Sequence, residues 1–395
     1  MKTIPSSVRF PDVEEEILEY WKTQGTFQKS LDKNRGNDPY IFYDGPPFAT
    51  GMPHYGHILT SYIKDTIARY FTMKGRFVDR RWGWDCHGLP IEYEIEKKLN
   101  ISGKAAIEAF GIDRFNKECS DIVLKYADDW CAIIDRIGRW VDFDRKYQTM
   151  DLDYMESVLW IFKLLHQKGL IYESLKVVAY CNRCQTPLSN FETGLDDSYR
   201  IKDDPSVTVA FVDKKNSDIS YLAWTTTPWT LPSNLSLAVH PDIDYCLIES
   251  GKWGKVILAK ERIDYYAGQL LDHKILEQFK GKYLIGKEYV PLFDFADNEN
   301  AFRILEGNFI DTKTGTGIVH IAPAFGEDDF NICSKNSIQS FNPVGLDGRF
   351  TEKAGFLKGM DVFESNKPII AYLKEKGLLF LRENYRHSYP HCWRC

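Results

Sequence analysis

Two Cys-x-x-Cys pairs far apart in the chain constrain its fold more than any other feature of the sequence. They are Cys181–Cys184 and Cys392–Cys395, roughly two hundred residues apart. Two thiolates at this spacing can share one metal ion, and two such pairs complete a tetrahedral zinc site. The metal would tie the start of the intervening segment to its end, as expected for one domain inserted into another.

Two other interpretations of the cysteines stay open. The pairs could be incidental, or one could be a redox pair, although arginine-bearing pairs after non-helical sequence do not favour redox chemistry. His387 and His391 lie close enough in sequence to replace a cysteine ligand. The chain has nine cysteines, an odd number that needs no pairing in a reducing compartment.

Residues 1–180 have the pattern of a parallel α/β domain. A chain of 395 residues usually forms two or three domains. An amphipathic helix is predicted over 12–24, and a strand, helix, strand unit over 40–44, 58–74 and 76–78. Such units build parallel sheets. Residues 102–168 read as mainly helical, and the apolar positions expected to form buried stripes are Trp130, Ile133, Ile134, Ile137, Val158, Leu159, Phe162 and Leu165.

Residues 181–395 have a different pattern. Short alternating runs at 207–211, 256–258 and 317–321 are separated by Gly, Pro and Asp, which predicts a separate β-rich domain. A helix near 361–376 and a strand at 378–381 precede the last cysteines.

Charge and hydropathy exclude some classes of protein. The chain has 50 Lys+Arg and 56 Asp+Glu, a net charge of −6, so it cannot coat DNA as histones do, and a nucleic acid would need a local basic patch. No stretch has the length and apolarity of a membrane helix, and the residues after Met1–Pro5 are not a signal-peptide core. We expect a cytoplasmic protein without membrane contact.

The segment Gly45–His57 is a candidate phosphate site. It lies between a predicted strand and a predicted helix, where unpaired N–H groups and the helix dipole favour an anion. His54 and His57 could both face that anion, and Gly56 would let it approach the backbone. A surface turn with two incidental histidines is about as compatible with the residues alone.

Three further features could carry chemistry. Asp85 lies between Trp84 and Cys86, so its carboxylate should be partly buried and need a cationic partner. A salt bridge to Arg76, Arg80 or Arg81 would meet that need. The run Trp224–Pro232 carries four threonines that could line a polar pocket. The run Gly315–Phe330 reads as a strand, a loop and an acidic first helical turn, where an acid is ordinarily part of the helix terminus.

These motifs resemble those of a known family. His54-Tyr55-Gly56-His57 resembles the ATP-binding signature of class I aminoacyl-tRNA synthetases, and the block 83–92 resembles the isoleucyl branch. The resemblance covers essentially the whole chain. It implies an α/β fold, in which residues 1–180 form the first half of a Rossmann-like parallel-sheet catalytic domain. Residues 181–395 would be an inserted β-rich editing domain, joined at a zinc knuckle.

The resemblance also implies activity and ligands. The isoleucyl branch of the family forms isoleucyl adenylate from L-isoleucine and ATP with Mg²⁺, then transfers isoleucine to tRNA(Ile). His54, Gly56 and His57 would bind ATP, while Asp85 and the backbone near Pro46 would hold the amino acid. Structural Zn²⁺ would be held by Cys181, Cys184, Cys392 and Cys395. We expect a monomer.

An editing site is the third implication of the resemblance. Isoleucine exceeds valine by one methylene, which a hydrophobic pocket can discriminate by only about 1–3 kcal/mol, and the isoleucyl enzyme is the known example of this limit. Asp329 would anchor the α-amino group of valine on tRNA(Ile), although Asp328 is adjacent. The other implied residues are Thr225, Thr226, Thr227, Asn234 and His320.

The family's second ATP signature, a Lys-Met-Ser-Lys-Ser-type loop, does not occur in the sequence. We therefore expect an N-terminal part of a synthetase that cannot aminoacylate tRNA alone, which robust ATP–pyrophosphate exchange would refute. The alternatives are a self-sufficient editing hydrolase within 181–395 and a non-catalytic module that binds tRNA or clamps zinc.

Overall fold

The structure is a computed structural model that describes residues 7–48, 51–393 and 395. The segment Met1–Pro5, two residues of the Gly45–His57 motif (Ala49 and Thr50) and Arg394 of the last Cys-x-x-Cys pair lie outside the described residues. The chain divides into two compact units, Met1–Glu173 and Ser174–Cys395, called the first and the second unit below.

The first unit is mainly helical with a short parallel sheet. Its helices and strands, in chain order, are α1 (Phe10–Gln24), α2 (Thr26–Asn34), α3 (Tyr55–Met73), β1 (Arg81–Trp84), α4 (Leu89–Leu99), α5 (Lys104–Phe110), α6 (Ile112–Val123), α7 (Ala127–Arg136), β2 (Asp142–Gln148) and α8 (Leu152–Gln167). Strands β1 and β2 pair in parallel. The predicted helices over 12–24 and 58–74 correspond to α1 and α3.

The two strands predicted beside α3 are not formed as strands. Residues 40–44 and 76–78 form no continuous strand, and single parallel bridges join Pro39 to Phe77 and Phe48 to Asp85. Pro47 lacks the N–H that would extend the Phe48–Asp85 bridge back toward Gly45, so this pairing stops after one bridge. The parallel direction expected for this part of the chain is nevertheless present.

Aromatic rings dominate the core of the first unit. Trp82 and Trp84 of β1 pack with Trp130 of α7, and all three are buried. Ile134 of the predicted stripe is buried as well. The stripe predicted on α8 is wrong for this chain, since Val158, Leu159, Phe162 and Leu165 are exposed, Leu159 by 68%. Apolar spacing along a helix identifies the apolar face but not a partner that covers it.

The second unit is rich in strands. Its elements are β3 (Ala179–Cys181), β4 (Thr186–Leu188), α9 (Asn190–Thr193), β5 (Tyr199–Val212), β6 (Ile219–Thr225), β7 (Ser236–Val239), β8 (Asp244–Ser250), β9 (Gly254–Ala259), α10 (Ala267–Leu270), β10 (Lys274–Lys280), β11 (Arg303–Glu306), β12 (Ile318–Ile321), α11 (Glu327–Lys335), α12 (Asn366–Glu375) and β13 (Leu379–Pro390). Short 3₁₀ helices span Pro228–Ser233, Lys260–Arg262, Asp264–Tyr266, Gly281–Tyr283 and Glu352–Leu357.

A nine-stranded mixed sheet organises this unit. Its order is β10-β8-β9-β6-β12-β7-β11, with β5 paired to β6 and β13 paired to β5. β6 is the branching strand: it pairs with β5 along one side, and on the other with β9 near its start and with β12 near its end. The chain therefore has the mixed α/β fold with a β-rich second part that the sequence predicts.

The register of β12 positions the candidate pocket. β12 runs parallel to β6, with Val319 opposite Trp224, and antiparallel to β7, with Ile321 opposite Ser236. The carboxyl ends of β6 and β12 therefore meet the start of β7 at one edge of the sheet.

No helix among the described residues is long and apolar enough to span a lipid bilayer.

Candidate functional sites

A cavity of about 420 Å³ opens at this edge of the sheet. Its wall brings together side chains from β6, the loop after it, β12 and α11. It is lined by Trp224, Thr225, Thr226, Thr227, Thr230, Phe309, Ile310, Asp311, Thr314, Gly315, Thr316, Gly317, Ile318, Val319, His320, Ala322, Phe325, Gly326 and Asp329. Five of the six residues predicted for the editing site are among them, and the sixth, Asn234, is not.

Threonine hydroxyls form one wall of the cavity. Thr225 ends β6, and Pro228 starts the 3₁₀ helix that turns the chain away. The Thr227 Oγ1 atom lies 3.2 Å from that of Thr225 and 3.3 Å from that of Thr230. Thr226 is half-buried and also lines the cavity. Thr230 was not singled out from the sequence, although it belongs to the same threonine run.

His320 lines the cavity and is only 8% exposed. Its Nε2 atom is 3.0 Å from Thr230 Oγ1, and its Nδ1 atom is 2.8 Å from Asn234 Nδ2. Burial lowers the pKa of His320 to about 3, so the ring is neutral at physiological pH. With both ring nitrogens engaged, His320 has no free lone pair with which to act as a general base.

Asp329 also lines the cavity, from the first turn of α11. Its Oδ2 atom accepts a hydrogen bond of 2.8 Å from the Ala322 N–H, which turns the carboxylate back toward the end of β12. Gly326, the residue before the helix, receives no side-chain cap, so Asp329 does not have the ordinary capping role that the sequence alone suggests. Asp328 is exposed and does not line the cavity.

The surroundings of Asp329 alter its acidity. Burial raises the pKa of Asp329 to about 6, with a smaller contribution from the Asp328 charge. A Cβ atom at Gly326 would lie 2.8 Å from the carboxyl carbon of Asp329. Gly326 is thus a position of the candidate site that the sequence did not indicate, because its close approach to Asp329 appears only when the helix folds back.

In the first unit, Asp85 lies beside the segment that carries Pro46. The Asp85 N–H donates to the Pro47 carbonyl at 2.9 Å, so the two predicted amino-acid-binding positions are neighbours. The three arginines that could have neutralised Asp85 have other partners: Arg76 pairs with Asp38, Arg81 with Asp79, and Arg80 donates to Ala68 and Thr72. Within 7–48, 51–393 and 395, no Lys or Arg forms an ion pair with Asp85.

His54 and His57 lie at the N-terminus of α3. The Gly56 N–H donates to His54 Nδ1 at 3.0 Å, the His54 N–H donates to His57 Nδ1 at 3.3 Å, and the two rings are 3.8 Å apart. Burial, followed by the charges of His54 and Lys64, lowers the pKa of His57. A Cβ at Gly56 would lie 2.8 Å from the His54 ring. Gly56 therefore leaves space for the His54 imidazole. The sequence predicts only that it leaves space for a ligand.

One ionic cluster beside this motif was not predicted. Asp44 pairs with both Lys64 of α3 and the buried Arg139, and Lys64 also donates to the Gly45 carbonyl at 2.9 Å. These contacts fix the start of the Gly45–His57 segment to the helix that follows it. Nothing local in the sequence indicates that residues so far apart would meet.

The four cysteines of the two Cys-x-x-Cys pairs come together in the second unit. Their Sγ atoms all lie within 4.8 Å of one another, and those of Cys181 and Cys395 are 3.6 Å apart. A tetrahedral site with Zn–S bonds of about 2.3 Å separates its sulfurs by about 3.8 Å, so the cluster could hold such an ion. Burial, followed by the neighbouring Cys181, raises the pKa of Cys184 to about 11, which a bound dication would reverse.

Strand pairing explains how the distant pairs meet. β13 runs antiparallel to β5 from Leu379 to Pro390, which brings the end of β13 beside Tyr199, and His391 N–H then donates to the Ser198 carbonyl at 2.6 Å. His387 Nε2 instead lies 3.0 Å from an Asp204 carboxylate oxygen. The cluster of possible metal ligands in the described residues consists of the four cysteines, without the histidines proposed as substitutes.

Comparison with known proteins agrees with the motifs. The family model for tRNA synthetases class I (I, L, M and V) matches residues 16–341. The chain belongs to the class I tRNA synthetases. Within that family it is 51% identical over 389 residues to isoleucine–tRNA ligase 2 of Pseudomonas fluorescens and 50% identical over 404 residues to the isoleucine–tRNA ligase of Corynebacterium diphtheriae.

Each of these alignments covers 98% of this chain but only 37% and 38% of the relative. The chain therefore spans less than two-fifths of the length of the curated relatives it matches. Among solved structures, a LeuRS–tRNA–LeuAMS complex from Agrobacterium radiobacter K84 aligns with 95% of this chain and 48% of its own, at 17% identity and a TM-score of 0.37.

Proposed function

We propose that this chain serves isoleucine–tRNA ligation, with ATP and isoleucine binding in the first unit and hydrolytic proofreading of Val-tRNA(Ile) in the second. It would act in the cytoplasm as a monomer. The observation that carries the proposal is the cavity at the ends of β6 and β12. It combines a threonine wall, a neutral histidine and one half-buried carboxylate in a space of about 420 Å³.

The chemistry of the cavity suits a small aminoacyl ester. The Asp329 carboxylate would bind the α-ammonium group of a misattached amino acid, a strong charge-assisted contact in a half-buried site. The hydroxyls of Thr225, Thr226 and Thr227 would bound the side-chain space and orient a water molecule toward the ester carbonyl. Water is then the nucleophile, which agrees with a His320 that has no basic nitrogen to offer.

The first unit supplies the groups that adenylate formation requires. The Asp85 carboxylate, without an ion pair in the described residues, would take the α-ammonium of isoleucine beside the backbone of Pro46 and Pro47. His54, Gly56 and His57 at the start of α3 would meet the phosphates of ATP, whose Mg²⁺ comes with the nucleotide. Zn²⁺ in the cysteine cluster would have a structural role.

The test is hydrolysis of Val-tRNA(Ile) and Ile-tRNA(Ile) by the purified chain, with Asp329→Ala and Asp328→Ala compared. We expect selective hydrolysis of the valyl ester, lost by about a hundredfold or more in Asp329→Ala, since removing one partner of a buried charge pair costs about 3 kcal/mol or more. Asp328→Ala should retain the wild-type rate. Equal loss in both variants, or hydrolysis of both esters at one rate, would refute the assignment.

A second candidate, a self-sufficient editing hydrolase, is favoured by one observation. All residues that line the cavity belong to the second unit. Binding of ATP and isoleucine by the same chain, measured by calorimetry, separates the two functions. Deacylation without such binding supports the hydrolase, whereas deacylation together with binding supports the ligase assignment of the first unit.

A further inference from the structure

A buried tyrosine lies behind the editing pocket and does not contact its cavity. Tyr289 is fully buried, and its hydroxyl donates a 2.6 Å hydrogen bond to Asn234 Oδ1. Burial raises the pKa of the Tyr289 phenol well above its usual range, so the group is always a neutral O–H donor. Its ring packs edge-to-face against Phe211, so the ring has packing contacts that do not involve the hydroxyl.

The tyrosine fixes the orientation of the Asn234 amide. Because Oδ1 accepts from Tyr289, the NH₂ group faces the other way, and its two hydrogens have two acceptors. One is the Ser236 carbonyl at 2.9 Å, which can only accept, and the other is His320 Nδ1 at 2.8 Å. These partners assign the amide orientation from the hydrogen-bond network.

The amide in turn determines which nitrogen of His320 carries the proton. Nδ1 accepts from Asn234, so the proton of the neutral ring is on Nε2 and is donated to Thr230 Oγ1 at 3.0 Å. The Thr230 hydroxyl can then donate its own hydrogen to the Thr227 carbonyl, 2.8 Å away. Four side chains thus form one directed series from the core to the pocket wall.

We propose that Tyr289 is a positioning residue of the editing site: through Asn234 it holds His320 in the Nε2–H tautomer and thereby directs the Thr230 hydroxyl toward Thr227. This inference rests on the proposed editing function. Without the tyrosine hydroxyl, Asn234 Oδ1 is buried without its donor, and only the Ser236 carbonyl still favours this orientation of the amide. His320 then populates both tautomers, and in the Nδ1–H form Nε2 takes the Thr230 hydrogen away from the Thr227 carbonyl.

Tyr289→Phe removes the hydroxyl and keeps the ring. We expect kcat for Val-tRNA(Ile) hydrolysis by the full chain to fall by about tenfold with KM unchanged, because neither Tyr289 nor Asn234 lines the cavity. Tyr221→Phe is the matched control. It also removes one hydrogen bond from a fully buried tyrosine to a side-chain oxygen, that of Asp213, at a site outside the cavity lining.

The decisive readout is the ¹⁵N spectrum of the His320 ring, assigned by its loss in His320→Gln. We expect one Nε2–H tautomer in wild type and Tyr221→Phe, and a mixture in Tyr289→Phe. A wild-type ring with its proton on Nδ1 overturns the proposal without any variant, and so does a Tyr289→Phe ring that keeps the pure Nε2–H pattern, whatever its rate. Because the spectrum needs no substrate, a wild-type chain that fails to hydrolyse Val-tRNA(Ile) rejects the editing function separately.

Discussion

The pocket of the second unit and the histidine pair of the first unit are organised in different ways. In the pocket, strand register brings together side chains far apart in sequence, and Thr230 and His320, 90 positions apart, are hydrogen-bonded and buried. His54 and His57 are three positions apart at the N-terminus of α3, and His54 is exposed. The first arrangement is fixed by tertiary structure, whereas the second depends on local contacts. Loss of a tertiary contact should therefore cost more than loss of a local one.

The largest effect should follow loss of the cysteine cluster, which closes the ends of the second unit. In Cys184→Ser we expect the chain to lose about one bound zinc and at least ~3 kcal/mol of unfolding free energy, because metal binding is coupled to folding. Metal analysis and chemical denaturation measure this. Cys131→Ser, at a cysteine of α7 in the first unit, should change neither quantity. Wild-type protein without zinc, or zinc content unaffected by Cys184→Ser, would contradict the cluster as a metal site.

Asp329→Asn should increase the free energy of unfolding at neutral pH but not at pH 4. The folded-state pKa of Asp329 is raised to about 6, against about 4 in an unfolded chain. Folding therefore favours the protonated acid. The ionised Asp329 carboxylate therefore destabilises the folded protein. This effect is absent below about pH 4, grows as the pH rises toward 6 and is complete above pH 6. An asparagine at this position has no charge and removes the effect.

We expect Asp329→Asn to gain about 2 kcal/mol in unfolding free energy at pH 7.5 and nothing at pH 4. Denaturant unfolding at the two pH values measures this. The exposed neighbour provides the comparison, since Asp328→Asn should change stability little at either pH. A gain of the same size at both pH values would mean that the Asp329 charge is not the cause.

Gly326→Ala tests whether the pocket depends on close packing around Asp329. The added Cβ would lie 2.8 Å from the Asp329 carboxyl carbon and displace it. We expect kcat/KM for Val-tRNA(Ile) hydrolysis to fall by about tenfold, or about 1.4 kcal/mol. Gly268→Ala, where nothing lies within 4 Å of the new Cβ, should leave the rate unchanged. An unaffected Gly326→Ala enzyme would show that the carboxylate position is not critical.

The smallest effect should come from the local site. His54→Ala removes the side-chain acceptor of the Gly56 N–H and should cost about 1 kcal/mol of stability, as loss of a helix N-cap does. Asparagine is a good N-cap, so His54→Asn should recover that stability. If His54 also binds ATP, His54→Asn will remain defective in ATP binding, measured by calorimetry. Full recovery of both properties would reduce His54 to a capping residue.

The sequence predicts the local parts of this molecule well. The helices α1 and α3, the strand runs around 207–211 and 256–258, and the β-rich second unit follow from periodicity and turn residues. The motifs identify the family, which the comparisons with known proteins confirm. Five editing-site residues named through the family resemblance line one cavity, although their roles stay predictions.

Parts that depend on tertiary contacts could not be read from the sequence. Continuous strands at 40–44 and 76–78 do not form, because a ladder requires a partner paired along its length and not only β-forming residues. Tyr289 carries no motif, and its relation to His320 arises through the Asn234 amide. Gly326 and Thr230 also carry no motif of their own, since their contacts at the site depend on which segment folds against them.

The most direct test of the account is binding of a non-hydrolysable valyl amide of a 3′-terminal adenosine to the full chain, with the isoleucyl amide alongside. The pocket is preformed within the second unit, so we predict that the valyl compound binds without the rest of a tRNA, and that one extra methylene weakens binding by at least about tenfold. Asp329→Ala should abolish binding of the valyl compound. Equal affinity for the two amides, or valyl binding that survives Asp329→Ala, would contradict the account.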